Sequence, residues 1–269
     1  MSLDKFRSVA EIVLAPLVVR RRMPIDAGAG VIFVSQKVGG LRYLLKRSCD
    51  WDPELIGIAR FLVKPGHVIW DVGTNVGLFS KAAAFHAGEL GEVISIEADM
   101  DAVTLLNRTS RLHSERHAKM VVLPVAVSDS LGFVNFCIAK RSRSANFIEG
   151  FGSTQTGGVS EVRTLPSVTL DSLLKSFPPP DVLKIDIEGA EIDALKGGRQ
   201  LISNERPVVY CEVSRKVRED FTRILKRQDY RLWDGSGFEG TLGPEVSLAT
   251  FNTVAIPAEK AKDYERFDV

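Results

Sequence analysis

The run His67-Val68-Ile69-Trp70-Asp71-Val72-Gly73-Thr74-Asn75-Val76-Gly77 reads as a strand, a tight turn and the start of a helix. Gly73 permits close backbone approach, and the helix N-terminus aims unpaired N–H groups at whatever fills the crevice. Glu97 follows Gly73 by 24 residues at the end of the next strand. From that position a carboxylate can accept both hydroxyls of a ribose. A plain strand-to-helix connection would also use glycine, and a strand-end acid can simply be solvated, so the pair carries more than either residue alone. Asp71, ending the strand that feeds the turn, would repel a diphosphate at close range. Asp99, Asp129, Asp186 and Glu188 stand at other expected strand ends, so the predicted crevice rim is acidic and favours a cation. S-adenosylmethionine meets both conditions, with a ribose, a sulfonium, an ammonium and no phosphate. A nicotinamide or flavin dinucleotide fits less well, and a third glycine is missing.

A second constellation lies in Leu183-Lys184-Ile185-Asp186-Ile187-Glu188. Strand alternation points Lys184, Asp186 and Glu188 one way and the three apolar residues the other. A central parallel strand is normally apolar on both faces, so three charges there call for a chemical reason or an open strand end. Methyl transfer to an alcohol is a direct displacement that needs alignment and one proton acceptor. Asp186 or Glu188 is the candidate base, Lys184 could orient groups or stabilise developing charge, and Glu212 at the next strand end is a reserve. Glu188 and Glu191 also open a helix, where acids satisfy backbone N–H groups, so a structural role stays open for them. No ligand spacing demands a metal, and His67, His86, His113 and His117 share no face.

The elements that must position these groups follow from periodicity. From His67 onward, β-branched runs alternate with helical segments: strands at 68–70, 93–96, 120–123, 182–187, 207–213, 230–233 and 253–256, with helices from about 76, 100, 170, 190 and 217. Seven strands in one mostly parallel sheet, covered on both faces, make a doubly wound three-layer α/β sandwich of Rossmann-like type, which binds ligands outside the carboxyl ends of its strands. Residues 132–138 alternate as an antiparallel strand, and the Gly- and Ser-rich stretch to residue 160 reads as a loop. Its Arg141, Arg143, Phe147 and Phe151 could close over the crevice.

With 269 residues, 45% hydrophobic and 26% charged, the chain has material for a large core, and disorder, collagen and disulfide scaffolds are excluded. A net charge of +1 supplies no field for nucleic acid. Three widely spaced cysteines point to a reducing, cytoplasmic setting. Residues 1–60 read as an extension, a helix followed by a hairpin of runs 31–34 and 41–45 around Gly39-Gly40, and residues 61–269 as the main domain. The apolar stretch Val9–Val19 is too short to cross a bilayer, which needs about 20 residues. Arg20, Arg21 and Arg22 follow it, opposite to the order of a signal peptide. A docked amphipathic helix is expected, with peripheral membrane contact through residues 9–22 as the alternative.

From Leu62 to Val213 the chain resembles the FkbM family of S-adenosylmethionine-dependent methyltransferases. The landmarks are Asp71 to Gly77, Ile96-Glu97-Ala98-Asp99, Ala126-Val127-Ser128-Asp129, Val168-Thr169-Leu170-Asp171 and, most specific, Lys184-Ile185-Asp186-Ile187-Glu188-Gly189-Ala190-Glu191. Thr74 and Ala98 depart from the residues common in the family, and neither change removes a functional atom. The resemblance implies that Asp71, Gly73, Thr74, Asn75 and Gly77 hold the amino-acid end of the cofactor, Glu97 and Ala98 the ribose, and Ser128 and Asp129 the adenine edge. Ser128-Asp129 also reads as an ordinary turn. The implied activity is O-methylation of a hydroxyl on a carbohydrate, glycolipid or secondary metabolite, with a small-molecule or glycan acceptor. A cofactor-binding protein without catalysis and a dinucleotide oxidoreductase are the alternatives. Oligomeric state is not legible.

Overall fold

The computed structural model describes residues 17–112, 114–140, 146–151, 158–238 and 240–265. Its strands are β1 (Val18–Arg22), β2 (Val31–Ser35), β3 (Val68–Val72), β4 (Glu92–Ile96), β5 (Lys119–Leu123), β6 (Ala126–Val127), β7 (Gly132–Ala139), β8 (Phe147–Ile148), β9 (Val159–Val168), β10 (Val182–Ile185), β11 (Val208–Glu212), β12 (Tyr230–Asp234) and β13 (Asn252–Pro257). The helices that matter for the site are α1 (Leu41–Leu45), α2 (Pro53–Leu62), α3 (Leu78–Ala87), α4 (Met100–Ser110), α5 (Leu170–Leu173), α6 (Glu191–Lys196) and α7 (Arg218–Lys226).

A seven-stranded sheet in the order β12-β13-β11-β10-β3-β4-β5 forms the middle layer. Residues alternate across it into two cores. Ile69, Val93, Val182 and Val208 pack on one side with α2, α3 and the N-terminal extension. Trp70, Ile94, Leu183 and Val209 pack on the other with α5, α6 and α7. The expected three layers are present, while the sheet is mixed. β11, β10, β3, β4 and β5 run parallel, and β13 pairs antiparallel with both β11 and β12. The cause is the connection from β12 to β13, which has no crossover helix; a chain returning without one comes back antiparallel.

The N-terminal extension departs from its sequence reading. Leu41–Leu45 is helix α1, and the hairpin partner of β2 is β1, residues 18–22, in antiparallel register from Val18↔Ser35 to Arg22↔Val31. The apolar residues 41, 44 and 45 satisfy a helical turn as well as a strand, and packing decides: Tyr43 buries against Trp51, ring edge to face at 5.4 Å. Arg21, expected in a basic cluster, turns onto the end of α1 and donates to the carbonyls of Tyr43 at 3.0 Å and Lys46 at 2.7 Å, and to that of Leu44. The helix expected over residues 9–19 gives way to strand from Val18, and residues 9–16 lie outside those described. No helix among the described residues is long and apolar enough to cross a membrane.

The segment after β5 is more ordered than a loop. β6, β9, β7 and β8 make a second sheet, with β7 and β9 antiparallel over most of their length. The sequence reading missed β9 because Ser160, Glu161, Arg163 and Thr164 give it a polar first half, stabilised by pairing with β7 rather than by burial. Arg141, Arg143 and His113 lie outside the described residues.

Candidate active site

A cavity of about 300 Å³ opens at the carboxyl ends of β3, β4, β10 and β11. The turn after β3 forms its floor. Gly73 has φ +81°, and a Cβ there would sit 1.9 Å from the Asp186 carbonyl oxygen, so only glycine lets the turn pass beneath the end of β10. Asn75, at φ 53°, donates its N–H to Glu97 Oε2 at 2.7 Å, and Asp99 donates its own to Oε1 at 2.8 Å. Glu97 is 8% exposed, and burial pushes its carboxyl up to about 7 against the pull of those two N–H groups. Thr74, Asn75, Glu97, Ala98 and Asp99 line the cavity, as their strand-end positions predict. Gly77 sits just behind it, left-handed at φ 85°, as the N-cap of α3.

Asp99, Asp186 and Glu188 line the cavity as an acidic rim, and Asp71 does not. It is fully buried and absent from the cavity wall, accepting from Ser80 Oγ at 2.6 Å and facing Lys184 Nζ at 3.2 Å. Strand register explains this, since Asp71 on β3 lies opposite Lys184 on β10, which lies opposite Tyr210 on β11. Lys184, 2% exposed, also reaches Asp186 Oδ2 at 3.2 Å and the Gly73 carbonyl at 3.3 Å. Burial alone would depress the ammonium; Asp186, Asp71 and Glu212 outweigh it and hold Lys184 well above its ordinary value. The buried lysine is therefore a clamp joining the glycine turn to the end of β10.

Lys184, Asp186 and Glu188 all meet the cavity. Because β10 ends at Ile185, Asp186 and Glu188 project from a turn rather than continuing the strand. Glu191 is 3% exposed, accepts from the Gly189 N–H at 2.9 Å and lies off the cavity wall, its carboxyl pushed up to about 7 by burial. Ser128 and Asp129 also lie off it: the wall includes Val125, Ala126 and Val127 and stops there. The Ser128 N–H pairs with the Val168 carbonyl, and Asp129 is exposed. Among the described residues no group of acids, histidines and cysteines is arranged to hold a metal.

Several wall residues come from outside the strand-end motifs. Arg42, Tyr43 and Asp52 come from the extension, and Asn146, Phe147 and Ile148 come from the second sheet. Asp52-Pro53 is legible as a helix start, and Asp52 does accept from the Leu55 N–H at 3.2 Å; its place at the cavity is set by packing. Asn146 bridges the second sheet to the cavity, donating to Asp99 Oδ2 at 3.0 Å and accepting from the Ala139 N–H at 2.8 Å. Phe147 reaches the wall as expected, whereas Phe151 does not.

A model of the FkbM methyltransferase domain matches residues 71–232. The chain belongs to the FkbM methyltransferase family. That match begins at the clamp residue Asp71 and ends within β12. A hexuronic acid methyltransferase of Haloferax volcanii is 28% identical over 161 residues, covering 59% of this chain and 61% of that protein. The chain thus spans less than two thirds of that relative's length. Among solved structures, a methyltransferase FkbM from Methylobacillus flagellatus matches with a TM-score of 0.48 and 16% identity over 93% of this chain and 58% of that one. A precorrin-6y methyltransferase from Geobacter metallireducens matches with a TM-score of 0.43 and 12% identity over 82% and 93%.

Proposed function

We propose that this FkbM protein is an S-adenosylmethionine-dependent methyltransferase acting on a hydroxyl of a carbohydrate acceptor. The observation that carries the reading is Glu97, a buried carboxylate on the cavity wall whose two oxygens each hold one backbone N–H and keep lone pairs for hydroxyl donors. A ribose fits that arrangement. The glycine turn beneath puts Gly73, Thr74 and Asn75 on the cavity wall, where a polar amino-acid tail would lie. Apolar residues Val125, Val127, Phe136 and Ile148 offer a surface for a heteroaromatic ring. The excess of acids over cations at Asp52, Asp186, Glu188 and Glu212 suits a positively charged ligand. The carbohydrate acceptor is supported by the relative from Haloferax volcanii, whose name places its activity on a sugar acid.

When bound, the cofactor supplies a methyl carbon on a positively charged sulfur. Chain residues do the rest. Glu97 and the 73–75 turn fix the ligand, and Lys184, pinned by Asp71, keeps the turn and the Asp186 end of β10 at constant separation. Holding two reactants in line contributes roughly 7–11 kcal/mol to such a displacement. Arg42, Tyr43 and Asp52 form the outer wall that the acceptor would meet, and the apolar second-sheet residues exclude water.

Calorimetric titration with S-adenosylmethionine, S-adenosylhomocysteine and NAD tests the reading. Binding of both adenosyl ligands, weakened at least tenfold in Glu97→Ala, is expected. Binding of NAD alone would overturn it.

A further inference from the structure

Four carboxylates stand near the clamp, and their surroundings divide them. Asp186 is ion-paired to Lys184 at 3.2 Å and is engaged in holding the clamp. Glu188 is exposed at the mouth, and Glu191 is folded back onto the Gly189 N–H off the wall. Glu212 differs from all three. As the last residue of β11, the strand beside β10, it lines the cavity half-buried, and its carboxylate accepts no hydrogen bond among the described residues.

We propose that Glu212 is the general base of this site, taking the proton of the acceptor hydroxyl. The inference rests on the methyltransferase reading and adds to it the group that makes a hydroxyl acceptor workable. In the step, the acceptor oxygen bonds to the methyl carbon, the electron pair of the broken C–S bond stays on sulfur, and the hydroxyl proton passes to the Glu212 carboxylate and then to water. The charged and titratable groups around Glu212 are Arg42 of α1, Asp52 before α2, Lys184 and Asp186 at the end of β10, Glu188 beyond it, and Tyr210 and Cys211 on its own strand. Burial first, then Asp186, pushes its carboxyl up to about 7, where a base is half-ionised near neutral pH. Asp186 then acts as a positioning residue, holding Lys184 against the turn.

The test compares wild type, Glu212→Gln and Glu212→Asp. Methyl glucoside, methyl rhamnoside and methyl glucuronide serve as acceptors, and S-adenosylhomocysteine release is the readout. Glu212→Gln is expected to lower kcat about 100-fold or more, to lose the acidic limb of the pH profile near 7 and to keep S-adenosylhomocysteine affinity within about twofold. Glu212→Asp, which retains the carboxylate, is expected to recover part of the rate with the limb shifted. A Glu212→Gln rate within about threefold of wild type, or an unshifted limb, overturns the assignment. If no glycoside is methylated while S-adenosylhomocysteine binds, the carbohydrate acceptor is wrong, and a carboxyl-labelled glutamate titration then decides Glu212 without an acceptor. The resonance missing from Glu212→Gln should titrate near 7, and a midpoint below about 5 overturns the proposal. No binding of S-adenosylhomocysteine to wild type would overturn the methyltransferase reading itself.

Discussion

Replacing Lys184 with methionine tests the clamp most directly. Methionine keeps most of the volume of the lysine stem and removes only the charge. The Lys184 ammonium lies 3.2 Å from Asp71 Oδ1 and 3.2 Å from Asp186 Oδ2. Asp186 has a third of its side chain exposed and can turn to water, but Asp71 has none and would keep only the Ser80 hydroxyl. Removing one partner of a buried ion pair costs about 3–5 kcal/mol, because a charge is left without compensation. For a chain of this size that lowers Tm by roughly 10 °C. The double variant Asp71→Asn, Lys184→Met removes both charges and should recover most of the loss. A stranded carboxylate is relieved by protonation, so the single variant should lose less at pH 5 than at pH 8. Urea unfolding followed by circular dichroism at both pH values measures all three. A Lys184→Met variant within about 1 kcal/mol of wild type at pH 8, or no recovery in the double variant, would refute the clamp.

Two further outcomes follow from the turn it holds. Glu97 is held near 7 in the folded protein against an ordinary value of 4.5, so the folded state binds the extra proton and stability falls as pH rises from about 4.5 through 7. The loss is on the order of 3 kcal/mol. Glu97→Gln should remove that part of the slope in unfolding experiments, and an unchanged slope would show that Glu97 does not titrate there. Gly73→Ala would place a methyl 1.9 Å from the Asp186 carbonyl oxygen at φ +81°. The left-handed backbone alone costs about 1–2 kcal/mol, and separating the turn from β10 should abolish adenosyl-ligand binding in calorimetry; full binding by the variant would refute the contact.

Much of the site was legible because its residues lie close in sequence to strand ends. Gly73, Thr74, Asn75, Glu97, Ala98, Lys184, Asp186 and Glu188 owe their positions to local βα geometry, and a strand followed by a glycine turn puts its next residues at the carboxyl edge whatever surrounds it. The alternation of β-branched runs with helical segments likewise gave all seven strands of the main sheet. What failed depended on distant partners. Asp71 was read as facing the ligand because its cation stands at Lys184, on a strand whose register with β3 is settled only when the sheet assembles. Leu41–Leu45 was read as strand because a five-residue apolar run satisfies either period, and Tyr43 packing on Trp51 chose the helix.

The linear sequence by itself determined the layered α/β plan, the glycine turn and the family, since each rests on short-range pattern and on side-chain types at fixed spacing. The tertiary structure alone decided which acid is paired and which is free. Lys184 could have neutralised any of several carboxylates, and cross-strand register assigned it to Asp71 and Asp186 and left the Glu212 carboxylate without a hydrogen bond among the described residues. It also decided the outer wall, where Arg42, Asp52 and Asn146 are brought from the extension and the second sheet to one cavity. Burial and Coulomb interactions depend on distance in space, so they exist for these residues only after the layers have packed.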